Sequence, residues 1–349
     1  MSSFPTARDV MSSPTGAEFR KVEELLALRP ETIAKWVKAN ARHSVSTGLR
    51  YAHGVGFVTL GAGRRVWALF PDRYIVKTDT VTDIIVITHP SLNGMEPHHF
   101  YKGLATSLVT DTPVFMIPAS TRTSPWGLPK PVGNDYLAFA GRQLLEFLLR
   151  SIARQEGIDF SEKPRLHLHG WSQGGALSLA IAGAIQQEFE VASLIVGGLP
   201  NVLERGRREI FRDISSISFM DYVRTGKLSG YTYNALHCPA GKLSLLAMLG
   251  MNAKLLGDIV TTLSDNLPLH EAFRHASLMW QLEGLTVEAA EKTVIVSALN
   301  DPVSPEGSVN SQIELSGVPV RQLRVEGTHT FGDVIPWSLF AANKLGLDI

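Results

Sequence analysis

Residues 166–175 read LHLHGWSQGG. The alternating Leu166-His167-Leu168-His169 gives way to Gly170-Trp171-Ser172-Gln173-Gly174, and an apolar run, ALSLAIAGAI, follows. The alternation has the period of a strand, and the run after it is long enough for a buried helix. A strand therefore turns into a helix here, with a serine at the turn between two glycines. Small neighbours let the backbone bend sharply and let other chain atoms come close. A helix that starts beneath the serine aims its unpaired amides, and the positive end of its dipole, at whatever lies above. The Gln173 amide is thus a candidate donor to a developing negative charge. The plain alternative is a tight turn in which the serine has no task.

Outward from this turn the pattern repeats. Residues 83–88 (DIIVIT) form a continuous β-branched run, as expected of a strand buried on both faces, and 113–117 (PVFMI) form another. The runs 55–60 and 66–70 flank GAGRR, which reads as a hairpin turn. Further strands are expected at 191–196, 293–298 (TVIVSA) and 320–325, and helical spacing of apolar residues at 136–154 and 334–345. Strands alternating with helices predict an α/β fold, a mostly parallel central sheet flanked by helices.

Between residues 201 and 290 no buried strand is evident. Helical patterns rich in Leu, Met and aromatics dominate, among them Phe211, Phe219, Met248, Met251 and Trp280. An unstructured connection of that length is rare inside a compact domain, so a small helical subdomain inserted between two core strands is expected. The chain divides accordingly: an N-terminal arm with two short helical patterns at 1–45, a first part of the core at 46–200, a helical cap at 201–290, and the second part of the core at 291–349.

Composition narrows the partners. The 349 residues are 44% hydrophobic and 19% charged, with 33 basic residues against 33 acidic ones. A neutral balance provides no long-range field toward nucleic acid or an anionic membrane, so neither is expected as a partner; the small-molecule ester or acyl partner expected for this chain follows from the motifs below. The densest charge run, ERGRREIFR at 204–212, mixes signs and reads as a solvated helix face. The single cysteine, Cys238, excludes an intramolecular disulfide and any CxxC knuckle. The opening MSSFPTARDVMSSPTG lacks an apolar signal-peptide core, and a cytoplasmic location is the expectation. No apolar run approaches the length of a membrane span. Nothing in the composition sets the oligomeric state.

A serine alone is a weak nucleophile; it needs a base, and the base needs an orienting acid. Parallel strands share a direction, so the loops that follow them gather at one edge of the sheet. TVIVSALNDPVSP puts Asp301 just past the strand at 293–298, and VRQLRVEGTHTFGD puts His329 just past the strand at 320–325. Both loops share an edge with Ser172, in the chain order Ser, Asp, His. The plain reading of Asp301 is a cap on a helix entered through Pro302–Pro305. Asp333 follows His329, and Asp265, His270 and His275 lie inside the expected cap.

With these residues in place the chain resembles the α/β-hydrolases, in particular serine esterases and lipases with a helical cap. The likeness runs over residues 50–349 by motif order and is close in the three motif segments; GWSQGG is similar to the elbow of carboxylesterases and lysophospholipase-type hydrolases. The resemblance implies that Ser172 is the nucleophile, His329 the general base and then acid, and Asp301 its orienting partner, with Gly170 and Gly174 shaping the elbow. It also implies a cap after the strand that ends near Val196. One segment departs from the family. Where a His-Gly pair often follows the third strand, this chain has His89-Pro90-Ser91-Leu92-Asn93-Gly94. Pro90 has no N–H, so the second oxyanion donor is the amide of Ser91 or of Leu92.

The chemistry implied is cleavage of a carboxylic ester or thioester carrying an apolar acyl or bulky group, through an acyl-enzyme and without a cofactor. Two readings stay beside it: an acyltransferase using the same triad, and a non-catalytic protein of this fold that binds a ligand. No metal site is expected. His98 and His99 are adjacent and point to different faces, and the HLH of 167–169 lies inside a strand, where packed core histidines are the simpler reading. Trp171 reads as packing. The GAG at 61–63 lacks dinucleotide-binding spacing and opens no helix.

Overall fold

A computed structural model describes residues 50–90, 103–119, 142–199 and 278–325, apart from scattered positions within those spans. The expected N-terminal helices, His329, Ser91, Leu92, Cys238 and residues 201–277 of the expected cap lie outside the described residues.

The core is a nine-stranded sheet. Strands β1 (Arg50–Ala52), β2 (Val55–Gly61) and β3 (Arg65–Pro71) form an antiparallel meander at one edge, as GAGRR predicts. Six strands then run parallel: β4 (Val81–Pro90), β5 (Val114–Ala119), β6 (Phe160–Trp171), β7 (Val191–Gly197), β8 (Thr293–Ala298) and β9 (Arg321–Val325). The spatial order is β1-β2-β3-β5-β4-β6-β7-β8-β9, with β3 antiparallel to β5. The chain thus leaves β4 toward β5 on one side, returns to place β6 on the other, and continues outward from there. In an open parallel sheet such a reversal of winding leaves a crevice at the carboxyl ends of the strands, where ligands bind. Here the reversal lies between β4 and β6.

Both sheet faces are covered. Ile84, Val86, Phe115, Leu166, Leu168, Leu194, Val196 and Ile295 point to one face and join the main core cluster. Helix α1 (Gln173–Ile185) packs on that face and is apolar all round, with Ala176, Leu179, Ile181, Ala182 and Ile185 buried. A helix without a polar face belongs inside a structure. Ile85, Ile87, Val114, Met116, Ile195 and Val294 point the other way and are buried too, which is why β4 reads as an unbroken apolar run rather than an alternation.

After the 201–277 span, α2 (Leu278–Glu283), α3 (Val287–Glu291) and α4 (Glu306–Ser316) follow. Leu278 and Leu282 belong to the main core cluster. Gln186, just past α1, locks this junction. Its Nε2 donates to the Gly284 carbonyl at 2.8 Å, and its Oε1 accepts from the Thr286 amide at 2.8 Å. Thr286 in turn caps α3 by accepting from the Ala289 amide. Helix α4 ends at Gly317, whose φ of 63° is the left-handed conformation that glycine adopts without strain. Among the described residues, no helix is long and apolar enough to cross a membrane.

The buried His167 is a core histidine with partners on both ring nitrogens. Nε2 lies 3.2 Å from Asp83 Oδ1 and Nδ1 lies 3.0 Å from Ser193 Oγ. A carboxylate only accepts, so Nε2–H donates to Asp83 and Nδ1 accepts from the Ser193 hydroxyl. Burial lowers the imidazole below its ordinary value even though the Asp83 carboxylate opposes this. Burial would raise the Asp83 carboxyl, but hydrogen bonds from Thr82, Arg165 and His167, with the Arg165 charge, hold it below the usual carboxylate range. The two shifts act in different windows. The unfolded chain binds a proton at position 167 more readily than the folded one, so stability rises with pH below about 6.5 and is lost as pH falls through the lower folded value. The Asp83 contribution is lost further down, below about pH 4. Urea titrations of wild type and His167→Gln should show a wild-type loss between pH 7 and 5 that the variant lacks; equal slopes in that range would refute the assignment.

Candidate active site

Ser172 stands where β6 passes into α1, at the carboxyl edge of the sheet beside the reversal of winding. Its backbone has φ 55° and ψ −130°. Apart from Asp111, no other non-glycine among the described residues has a positive φ. Asp111 has a short polar side chain of the kind that tolerates such backbone. For serine the combination of positive φ with ψ near −130° is strained by about 1–3 kcal/mol. Serine is also among the favoured helix N-caps, but capping needs an extended backbone. Ser172 has the N-cap position without that backbone, and its side chain makes no capping hydrogen bond. The plain reading of the serine as a turn or cap residue does not describe it. The residue is partly exposed.

Neighbours enforce the strain. The Ser172 amide donates to the Gly197 carbonyl at the end of β7 at 2.8 Å, and the Ser172 carbonyl accepts from the Ala176 amide at 3.3 Å. Gly170 is glycine because its surroundings are full: a Cβ there would lie 2.5 Å from the Gly174 carbonyl oxygen and 2.5 Å from Thr88 Oγ1. Gly174 is buried in the first turn of α1. Trp171 is 5% exposed, and its indole lies across Gly197 and Gly198, where any Cβ would collide with the ring. Gly198 also has a φ of 59°. The packing role expected for Trp171 is thus what the structure shows, and the Gly-Gly pair at 197–198 exists to receive it. That pair is plain in the sequence after a strand, but its purpose depends on a side chain from the neighbouring strand.

Asp301 follows β8 at the same edge and is 4% exposed. Its Oδ1 accepts from the amides of Val303 at 2.8 Å and Ser304 at 2.9 Å, and its own amide donates to the Ala298 carbonyl at 3.2 Å. The carboxylate therefore organises the turn that holds it. It is not the cap of α4, whose N-cap is Pro305 without a side-chain bond. In register, Trp171 is level with Gly197 and Gly197 with Val296. Ser172 and Asp301 thus leave strands two positions apart, about 10 Å across the sheet. Of the expected site, the described residues include Ser172, Gly170, Gly174, the Gln173 backbone and Asp301; His329 and Ser91 lie outside them.

Sequence reading missed Thr88 and Ser178. Both are fully buried beneath the elbow. Thr88 Oγ1 lies 2.5 Å from the Gly174 carbonyl oxygen and 2.6 Å from Ser178 Oγ. Thr88 could be suspected only as the last polar residue of a β-branched run, because its partner is set by the parallel register that places it beside Gly170.

No protein-family model matches the sequence, and no curated protein matches it. Solved structures do. A serine hydrolase from the polyaromatic-hydrocarbon-degrading bacterium Cycloclasticus zankles is 14% identical, with 84% of this chain and 96% of that one covered and a TM-score of 0.49. Carboxyl esterase 2 from the mycorrhizal fungus Tuber melanosporum is 16% identical, with 88% and 86% covered and a TM-score of 0.45. The acylaminoacyl peptidase of Pyrococcus horikoshii is 12% identical over 89% of this chain, with a TM-score of 0.42, and this chain spans only 42% of its length. At such values the fold is read from the sheet itself. Its strand order, the reversal between β4 and β6, and the strained serine between β6 and α1 are those of the α/β-hydrolase fold, and this chain has that fold.

Proposed function

We propose that this chain is a serine hydrolase that cleaves a carboxylic ester or thioester through an acyl-enzyme. The observation that carries the reading is the backbone of Ser172. A serine is held in strained geometry at the amino end of a buried helix, partly exposed, with its side chain kept out of capping. Strain of this kind persists only where surrounding structure enforces it, and it concentrates at functional sites.

In this reading Ser172 Oγ attacks the substrate carbonyl carbon while the His329 imidazole takes the hydroxyl proton. The carbonyl π electrons move to oxygen, and the resulting oxyanion is held by the Gln173 amide, at the positive end of α1, and by the Ser91 amide. Collapse expels the alcohol or thiol, protonated by the imidazolium. Water, deprotonated by the same imidazole, then attacks the acyl-enzyme and releases the acid and free Ser172. Asp301 fixes the tautomer of His329 and stabilises its cation. The apolar residues of the expected cap favour medium or bulky apolar acyl groups.

Intact-mass labelling with a fluorophosphonate tests the assignment, since such probes react with an activated serine beside an oxyanion hole. One adduct on wild type and none on Ser172→Ala is expected; no adduct on folded wild type would sink the proposal and bring the ligand-binding reading forward. Asp301 offers a sharper check. Asparagine keeps an oxygen for the Val303 and Ser304 amides but cannot stabilise an imidazolium. Asp301→Asn should therefore keep the wild-type melting temperature within a few degrees and lower kcat by about 10⁴-fold. Unchanged turnover in the folded variant would reassign Asp301 to the turn alone.

A further inference from the structure

We infer that Thr88 is a positioning residue for the nucleophile: its hydroxyl ties the carboxyl end of β4 to the first turn of α1, and so sets where Ser172 and the Gln173 amide stand. The inference rests on the proposed role of Ser172.

Thr88 Oγ1 is within hydrogen-bonding reach of the Gly174 carbonyl at 2.5 Å, of Ser178 Oγ at 2.6 Å and, more loosely, of the His169 carbonyl at 3.3 Å. A hydroxyl has one proton. The two carbonyls only accept, and the Ser178 hydroxyl can donate, so the arrangement that satisfies the strong contacts is Ser178 O–H to Thr88 and Thr88 O–H to Gly174. Every atom in this chain of bonds is dry, Thr88 and Ser178 being 1% and 0% exposed. In such surroundings a hydrogen bond is electrostatically stronger than in water, and linked bonds reinforce one another.

The bond also explains the first glycine of the elbow in a new way. The two atoms that a Cβ at Gly170 would strike are the Gly174 oxygen and Thr88 Oγ1. These are the two ends of one hydrogen bond. The space cleared at position 170 is therefore occupied by a tie between β4 and α1. Gly174 lies two residues past Ser172, and its carbonyl belongs to the turn whose amides face the reaction. Pinning that carbonyl limits rotation of the turn, and with it the direction of the Gln173 N–H and the Ser172 side chain. Misplacement of reacting groups by about 1 Å is enough to lower a rate by 10²-fold.

Thr88→Val keeps the shape and removes the hydroxyl; Thr88→Ser keeps the hydroxyl. Both are compared with wild type for turnover of p-nitrophenyl butyrate and for the rate of fluorophosphonate labelling, per folded molecule. Thr88→Val should lose about 10-fold or more in kcat and in labelling rate with KM within twofold, and Thr88→Ser should recover both to within about threefold. A Thr88→Val protein with a lowered melting temperature but wild-type kcat and labelling rate overturns the inference and leaves the role of Ser172 intact. Wild type that does not label at all, or Ser172→Ala that still does, overturns both. If Thr88→Val does not fold, Ser178→Ala decides: it removes the donor that orients the Thr88 hydroxyl, so a severalfold drop in kcat at constant KM supports the tie, and unchanged kcat overturns it.

Discussion

With Ser172 as the proposed nucleophile, Ser172→Ala is expected to fold and to turn over an activated ester about 10⁴–10⁶-fold more slowly than wild type, the range in which removal of a triad nucleophile falls. The loss is in kcat, because attack by Oγ is an interaction of the transition state. A second substitution at the same position separates chemistry from architecture. Alanine keeps a Cβ and therefore keeps the strain at φ 55°, ψ −130°. Glycine has no Cβ and reaches that region freely. Ser172→Gly should be just as inactive yet more stable than Ser172→Ala by about 1 kcal/mol, the released strain being partly offset by the larger entropy of an unfolded glycine. Urea denaturation of the two variants measures the difference. A glycine variant less stable than alanine would mean that the turn holds no strain.

Gly170→Ala will have the largest effect on the fold. One methyl group enters a space already bounded by the Gly174 carbonyl and Thr88 Oγ1, each 2.5 Å from the new carbon. One of these is backbone and the other a hydrogen-bonded, buried hydroxyl, so neither yields without moving β4 or α1. Overpacking of a tight core costs about 1–3 kcal/mol and occasionally more. Here the upper part of that range is expected, because relief also breaks the Thr88–Gly174 bond and leaves buried polar atoms without partners. Activity should fall further than stability alone explains, by about 10²-fold in kcat for the fraction that remains folded. Denaturation midpoints and labelling rates on the same preparation give both numbers. Wild-type stability would show that the elbow has more room than its contacts imply.

The sheet was readable in the sequence because its physics is local. DIIVIT, TVIVSA and the runs at 55–60 and 66–70 appear as β4, β8, β2 and β3, each extended by at most a few residues at its ends. The turn at Ser172 was readable because glycines mark places where side chains do not fit. β1 was not legible: three residues, Arg50–Ala52, carry too little pattern to stand out, and only pairing with β2 makes them a strand. Helix α4 was signalled only by the prolines at 302–305 that open it, and its extent was not legible. Its sequence, EGSVNSQIELS, buries only Val309 and Gln312 and shows no apolar stripe. In helix α2 the packing of Leu278 and Leu282 into the main core cluster was not legible either, because their partners lie far away in sequence, where periodicity cannot see them. Thr88 lay hidden in the same way, its meaning residing in Gly174 on another element.

The pairing of β7 with β8 has an evolutionary consequence. Leu194 through Gly197 align with Thr293 through Val296 without a break, although a long stretch of chain separates them. The entropy of closing a loop grows only with the logarithm of its length, so lengthening or shortening the segment shifts stability little. The chain leaves β7 at Gly197, whose carbonyl accepts from the Ser172 amide, and is described again from Leu278 of α2, beyond which Gly284 is held by Gln186 past the far end of α1. Under the proposed function, residues 201–277 are therefore a segment that lineages can lengthen, shorten or replace, while the sheet and the serine turn stay under their own separate selection.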